Sequence, residues 1–229
     1  MATLAALTPS EWEIEFVDER IEPLHIKDDA DLVAISLMTP QALRAYEIAD
    51  TFRSLGVPVV LGGIHVCLAP EDAKAHADAI VIGEAEGVWQ YLLDDFKKGD
   101  LKRIYKCNNP VLNPSLPRWD LICAGKGYLP LNSIQVARGC PVNCDMCSVP
   151  QHFGREFRMR DIASLLKEIE LMDRFAFVVN DNLHLAKRRS LSFFNGLKNY
   201  SKKWVGLSML RIGGDPDFLK MIKESHCWA

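Results

Sequence analysis

Long apolar runs are missing from this 229-residue sequence. None approaches the roughly 20 residues that a membrane-crossing helix needs. The longest, around Val57–Leu61, is short and rich in Val, as a buried strand would be. Met1–Leu7 is apolar but has no basic segment, and Glu11, Glu13 and Glu15 follow at once, so it does not read as a secretory signal. An excess of positive charge is missing too. There are 27 Lys and Arg against 30 Asp and Glu, a net charge of −3, which excludes a protein that lives by wrapping nucleic acid. Low-complexity tracts and short fixed repeats are also absent. With 48% apolar and 25% charged residues, what remains is an ordinary globular composition, expected in the cytoplasm and with no membrane span.

Cysteine is abundant by contrast. Seven are present, too many for a cytoplasmic chain to carry without a reason, and a secreted disulfide scaffold would be smaller and have a signal. Cys67, Cys107, Cys123 and Cys227 stand singly and read as ordinary thiols. Cys140, Cys144 and Cys147 form a C-x3-C-x2-C run. Three thiolates on one loop can hold three corners of an iron–sulfur cube and leave one iron open to a ligand. They do not close a four-ligand zinc site unless a residue such as His152 joins them. A Cys144–Cys147 redox disulfide or plain structural thiols are the remaining readings.

Around that loop the chain alternates strand and helix patterns, which predicts parallel β/α units. In the first half, strands are expected at Trp12–Val17, Leu32–Leu37, Val57–Leu61 and Ala79–Ile82. A helix follows Thr39-Pro40 with the stripe Ala42, Ala45, Ile48, Ala49, Phe52, Leu55 and a C-terminal Gly56. Further helices are expected at Pro70–Ala77 and Gly87–Lys97. Residues 106–130 carry four prolines and read as a linker between a first domain at 1–105 and a second at 131–229. The second half reads as strand Ser133–Ala137, the cysteine loop, a helix capped by Asp161, strand Phe175–Val179, helix Leu191–Asn199, strand Val205–Leu210 and helix Pro216–Glu224. Ligands of such sheets bind outside the carboxyl ends of the strands. Those ends are Leu37–Gln41, Gly62–His65 and Gly83–Gly87 in the first half and Asn180–Asn182 in the second.

The C-x3-C-x2-C loop directly after a strand, entered through Arg138-Gly139, resembles the radical S-adenosylmethionine (SAM) enzymes. The segments Val33–Asp50, Val57–His65, Ala77–Trp89 and Pro117–Ile122 resemble the cobalamin-binding domain of the B12-dependent subgroup of that family. The resemblance implies an α/β fold: a Rossmann-like (flavodoxin-like) parallel sheet followed by a partial β/α barrel of the radical SAM type. It implies that Cys140, Cys144 and Cys147 ligate a [4Fe–4S] cluster whose open iron binds SAM, which is cleaved reductively to a 5′-deoxyadenosyl radical. Asn180, Asp181 and Asn182 stand where the family places polar groups near SAM. Thr39, Gln41, Gly62, Gly63, Ile64, His65, Gly83, Glu84 and Glu86 are the candidates for a cobalamin rim. The D-x-H-x-x-G motif is absent, so no histidine is assigned to cobalt, and His65 is expected to hydrogen-bond the ligand tail rather than ligate the metal.

The implied activity is that of a cobalamin-dependent radical SAM enzyme, methyl transfer among the outcomes. A small-molecule or lipid-like substrate and an electron donor such as a flavodoxin or ferredoxin would be its partners, with no nucleic acid. Two departures are visible. Met146 replaces the family's usual aromatic residue before the third cysteine, and Asn180 replaces an aspartate. The three β/α units of the second half and the helical opening suggest a chain shorter than the family at both ends. A non-catalytic cobalamin- or cluster-binding fragment is therefore one alternative, with the edge at Val205–Leu210 unpaired. A zinc-stabilised nucleotide-binding domain using His152 is another.

Overall fold

The computed structural model describes the chain except residues 28, 109, 111, 113–115, 124–126, 129–130, 143, 181 and 229, and the side chains of 122, 123 and 131. It forms two compact units, Met1–Gly127 and Tyr128–Ala229.

The first unit runs α1 (Ala2–Leu7), β1 (Val33–Ser36), α2 (Ala42–Ser54), β2 (Val59–Gly62), α3 (Ile64–Leu68), α4 (Pro70–Ala75), β3 (Ala79–Ile82), α5 (Trp89–Lys97), β4 (Ile104–Lys106) and α6 (Trp119–Cys123). The strands pair in parallel in the order β1-β2-β3-β4, with Val33 opposite Val59 and Ile80 opposite Ile104. Both sheet faces are covered, so the central strands β2 and β3 are apolar throughout rather than alternately. Val59, Leu61 and Ile80 face a core with Ala45, Ala49, Phe52, Val66 and Ala73. Val60, Ala79 and Val81 face the other way, against Trp89, Leu92 and Leu93, with Leu4, Leu7 and Trp12 packed on that cluster. Helix α2 ends as its sequence predicts. Gly56 adopts φ +83°, its N–H bonds Arg53 O, and the Val57 N–H reaches back to Phe52 O.

One expectation for this unit is corrected, and two are filled out. Trp12–Val17 is not a strand. Among the described residues β1 is an edge strand paired with β2 alone, and Trp12 turns its ring to Phe96 at 5.9 Å. The helix expected at Pro70–Ala77 is preceded by a second short one, α3. The stretch read as a linker contains α6, and just ahead of it the Arg118 N–H bonds Ala2 O at 3.1 Å, tying those residues to the first unit.

The second unit runs β5 (Leu131–Gln135), β6 (Ala137–Arg138), α7 (Val149–Phe153), β7 (Arg158–Met159), α8 (Ile162–Leu171), β8 (Phe175–Val179), α9 (Lys187–Leu197), β9 (Lys203–Gly206) and α10 (Pro216–Glu224). β5, β8 and β9 form a parallel sheet in that order, and β6 pairs antiparallel with β7 across the base of the cysteine loop. Asp161 caps α8 through the Ser164 N–H, and Asp215 caps α10 through the Phe218 N–H. The outer edge of β9 is bridged at its start, at Trp204, and the strand ends at Gly206 rather than Leu210. After α10 the chain returns beside it, Trp204 N–H bonding His226 O and Trp228 N–H bonding Trp204 O.

The centre of this unit is aromatic. Phe194 stacks on Trp204 at 4.8 Å and meets Phe218 edge-on at 5.9 Å, and Phe194 and Phe218 are fully buried. Truncating such a side chain removes apolar burial and leaves a cavity. Phe194→Ala is expected to destabilise the second unit by about 3–5 kcal/mol, seen as a lowered urea midpoint for the Trp204 fluorescence transition.

Candidate functional site

The cysteine loop leaves the sheet at the carboxyl end of β5. Gly139 has φ +85°, and a Cβ there would sit 2.0 Å from Glu156 O. No side chain fits, because the two strands of the loop's neck touch backbone to backbone. The Cys140 N–H then bonds Gly154 O at 3.2 Å, and a tight turn brings the Cys147 N–H to Cys144 O at 3.1 Å. Arg138 braces the neck, donating from Nε to Gln135 Oε1 at 2.7 Å with its guanidinium over the Phe153 ring. The three thiols are free. Cys140 is buried, Cys147 half-buried and Cys144 exposed. Among the described residues no three Cys, His, Asp or Glu side chains stand gathered as a cage. The loop thus presents the right donors without drawing their sulfurs together, and His152 is not gathered with them; its ring lies against Phe153. Met146, in the place of the family's aromatic residue, is wholly exposed.

At the end of the neighbouring β8, Asn180 is only 6% exposed, and neither its amide nitrogen nor its oxygen has a hydrogen-bond partner among the described residues. A buried amide with both ends open is costly unless a polar ligand completes it. Asp181 lies outside the described residues. Asn182 is buried and committed locally, its Oδ1 accepting the His184 N–H.

The rim of the first unit is also assembled by strand ends. Gly63 has φ +98°, and a Cβ there would lie 2.6 Å from Leu37 O and 2.8 Å from Leu37 N. The fold itself therefore demands glycine here, since the end of β1 crosses directly over it. Thr39 Oγ1 lies 3.1 Å from His65 Nδ1, and His65 Nε2 lies 3.0 Å from the Tyr46 hydroxyl. Both ring nitrogens of His65 are engaged within the protein, by Thr39 and Tyr46. Burial and the charge of Asp72 push the Tyr46 hydroxyl up. Gln41 turns inward along the chain, its Oε1 accepting the Met38 N–H at 3.0 Å. Ile64 opens α3. Gly83 adopts φ +89° and donates its N–H to Cys67 Sγ at 3.1 Å. Burial pushes the Cys67 thiol up. Glu84 is buried and Glu86 half-buried beside it.

Residues 5–93 match the protein family described as the B12 binding domain. Those residues form a B12-binding domain. Nearly the whole chain continues the likeness. It is 33% identical to bacteriochlorophyllide d C-8(2)-methyltransferase of Chlorobaculum tepidum, over 99% of this chain and 55% of that protein. It is 28% identical to bacteriochlorophyllide d C-12(1)-methyltransferase of the same organism, over 98% of this chain and 52% of that protein. The chain spans about half the length of these curated relatives. The radical SAM methyltransferase TsrM of Kitasatospora setae, solved with cobalamin and a [4Fe–4S] cluster, superposes with a TM-score of 0.68 at 16% identity. That match covers 86% of this chain and 47% of TsrM. The fold is therefore α/β, a Rossmann-like B12-binding sheet followed by a partial β/α barrel of the radical SAM type.

Two groups at these strand ends escape a sequence reading. Cys67, read there as an ordinary thiol, holds the Gly83 turn of the B12-binding domain. In the second unit Asp215 Oδ2 receives both His184 Nε2 at 2.9 Å and Lys187 Nζ at 2.6 Å. The only signal for Asp215 was its place before Pro216, at the start of a helix.

Gly63→Ala is expected to destabilise the B12-binding domain by about 1–3 kcal/mol from backbone strain alone, and by more from the clash with Leu37, measured by urea denaturation. Lys187 and His184 hold the Asp215 carboxyl well below the usual carboxylate range. A carboxylate depressed on folding stabilises the folded state above its unfolded pKa and loses that contribution as pH falls. Asp215→Asn should therefore lower the melting temperature at neutral pH, the gap to the parent chain closing progressively below about pH 4.

Proposed function

We propose that this chain is the cofactor-binding part of a cobalamin-dependent radical SAM enzyme, a methyltransferase. The observation that carries the reading is the pairing of a B12-binding domain with three free cysteines on one loop at the end of a parallel strand. Cys140, Cys144 and Cys147 are the residues that would hold a [4Fe–4S] cluster, and a cube with one iron left open suits SAM as the remaining ligand. Cluster, SAM and cobalamin supply the radical and methyl-transfer chemistry when bound.

The chain's own residues bind and orient. Gly139 lets the loop fold tightly, and the open amide of Asn180 supplies a buried donor and acceptor at the next strand end, suited to a polar part of SAM. On the B12-binding domain Gly62, Gly63 and Gly83 keep the rim low. Thr39, Gln41, Glu84 and Glu86 give it polarity, and His65 locks the Thr39 turn to α2 rather than meeting a metal. The tetrapyrrole substrates named for the two Chlorobaculum relatives make a large, flat, hydrophobic acceptor the favoured substrate class. A low-potential donor such as a flavodoxin or ferredoxin would deliver the electron. Among the described residues no helix is long and apolar enough to cross a membrane, and a cytoplasmic setting suits an oxygen-sensitive cluster.

Anaerobic preparation with iron, sulfide and cobalamin tests the reading. We expect a broad visible cluster absorbance, bound cobalt, and loss of the cluster in the Cys140→Ala, Cys144→Ala and Cys147→Ala variants with the cobalamin retained. Tight zinc binding with no cluster would refute it.

A further inference from the structure

The neck of the cysteine loop is closed by a buried ion pair that the binding of cofactors does not explain. Arg160, at 5% exposure, follows β7, and Glu168, at 1%, sits on α8 between the buried Leu165 and Ile169. Arg160 Nη2 donates to Glu168 Oε2 at 2.7 Å, and Nη1 donates to Gln135 O at 3.1 Å. The Arg160 N–H bonds Val136 O at 3.0 Å. From there the neck closes rung by rung: Ala137 opposite Met159, Arg138 opposite Arg158, Gly139 against Glu156, and Cys140 bonded to Gly154. Arg160 thus makes the innermost rung, and one guanidinium ties the end of β5, the exit of the loop and α8 together.

Stability alone is a poor reason for this pair. Burying two charges costs desolvation that their attraction need not repay, and apolar residues of similar volume often do as well or better. Here the cost is larger still, because Arg160 Nε is buried with no hydrogen-bond partner among the described residues. What an apolar pair cannot supply is direction. A planar guanidinium fork fixes two acceptors at set angles to each other.

We propose that Arg160 and Glu168 are positioning residues that hold the neck of the cysteine loop, and through it fix the buried Cys140 as the anchor toward which the other two thiols would close on a cluster. The inference rests on the cluster reading above. Glu168 orients the guanidinium, the guanidinium holds Gln135 O, and the neck keeps Cys140 buried while Cys144 stays exposed.

The test uses the metal-free chain and iodoacetamide, with alkylation followed at each cysteine by peptide mass spectrometry. Cys227, in the same unit but away from the loop, is the control. In the Arg160→Met/Glu168→Leu double variant we expect near-parental melting, Cys140 alkylation about tenfold faster, as loss of a charged hydrogen bond would give, and Cys227 unchanged. Arg160→Lys, which keeps the charge but not the fork, should also speed Cys140 and guards against a double variant that does not fold. Reconstituted variants should release iron to a chelator faster than the parent and show an altered cluster EPR signal on addition of SAM. Parental Cys140 protection in folded variants overturns the proposal. So does a parallel rise at Cys140 and Cys227, which marks general loosening. Failure of the parent chain to take up a cluster is a different result. It refutes the function proposed above, and with it the purpose given to the pair, whatever the alkylation pattern.

Discussion

Parallel strand pairing is the constraint from which the chemistry of this chain follows. When neighbouring strands run the same way, their carboxyl ends lie along one edge, and every segment leaving a strand there enters the same space. In the B12-binding domain the register of Val33 with Val59 and Ile80 with Ile104 gathers the Leu37, Gly62 and Gly83 turns. In the second unit the register of Leu131 with Phe175 and Phe175 with Lys203 does the same for the cysteine loop, Asn180 and the segment ahead of Asp215. Neither group is local in sequence; hydrogen-bonded ladders make each one local in space.

The two glycines at these edges answer to different neighbours. Gly63 is required because the backbone of Leu37 passes over it, so its conformation belongs to the sheet's own closure. Gly139 is required because the outgoing strand of the cysteine loop returns against it at Glu156. The first helps to build a rim and the second a neck. Polar side chains then fix what the glycines allow. Thr39, His65 and Tyr46 lock one turn of the rim, and Arg160 and Glu168 lock the neck.

Much of this was legible from local pattern. The stripe Ala42–Phe52, the left-handed Gly56, the Asp161 cap, strands Ala79–Ile82 and Phe175–Val179, and helix Pro216–Glu224 depend on period, capping and turn chemistry within a few residues. The errors came where a partner decides. Trp12–Val17 alternates as a strand should, yet a strand needs a neighbour, and its Trp was taken by the core under α5. The strand expected at Val205–Leu210 instead spans Lys203–Gly206, because its start is fixed by pairing with β8 and by the bridge from the chain after α10 to Trp204. Glu168 carried a visible signal, a carboxylate inside an apolar stripe, but only its partner Arg160 gives that signal a meaning.

The sequence by itself determined the alternation of strands and helices, the apolar faces and the C-x3-C-x2-C donor set, because each is set by residues close along the chain. Tertiary structure decided which turns share an edge, that both nitrogens of His65 are spent on Thr39 and Tyr46, that the Asn180 amide is left open, and that one buried guanidinium closes the cysteine loop. Those are contacts between residues far apart in sequence, selected by packing and by the need to satisfy buried polar groups, and no local pattern carries them.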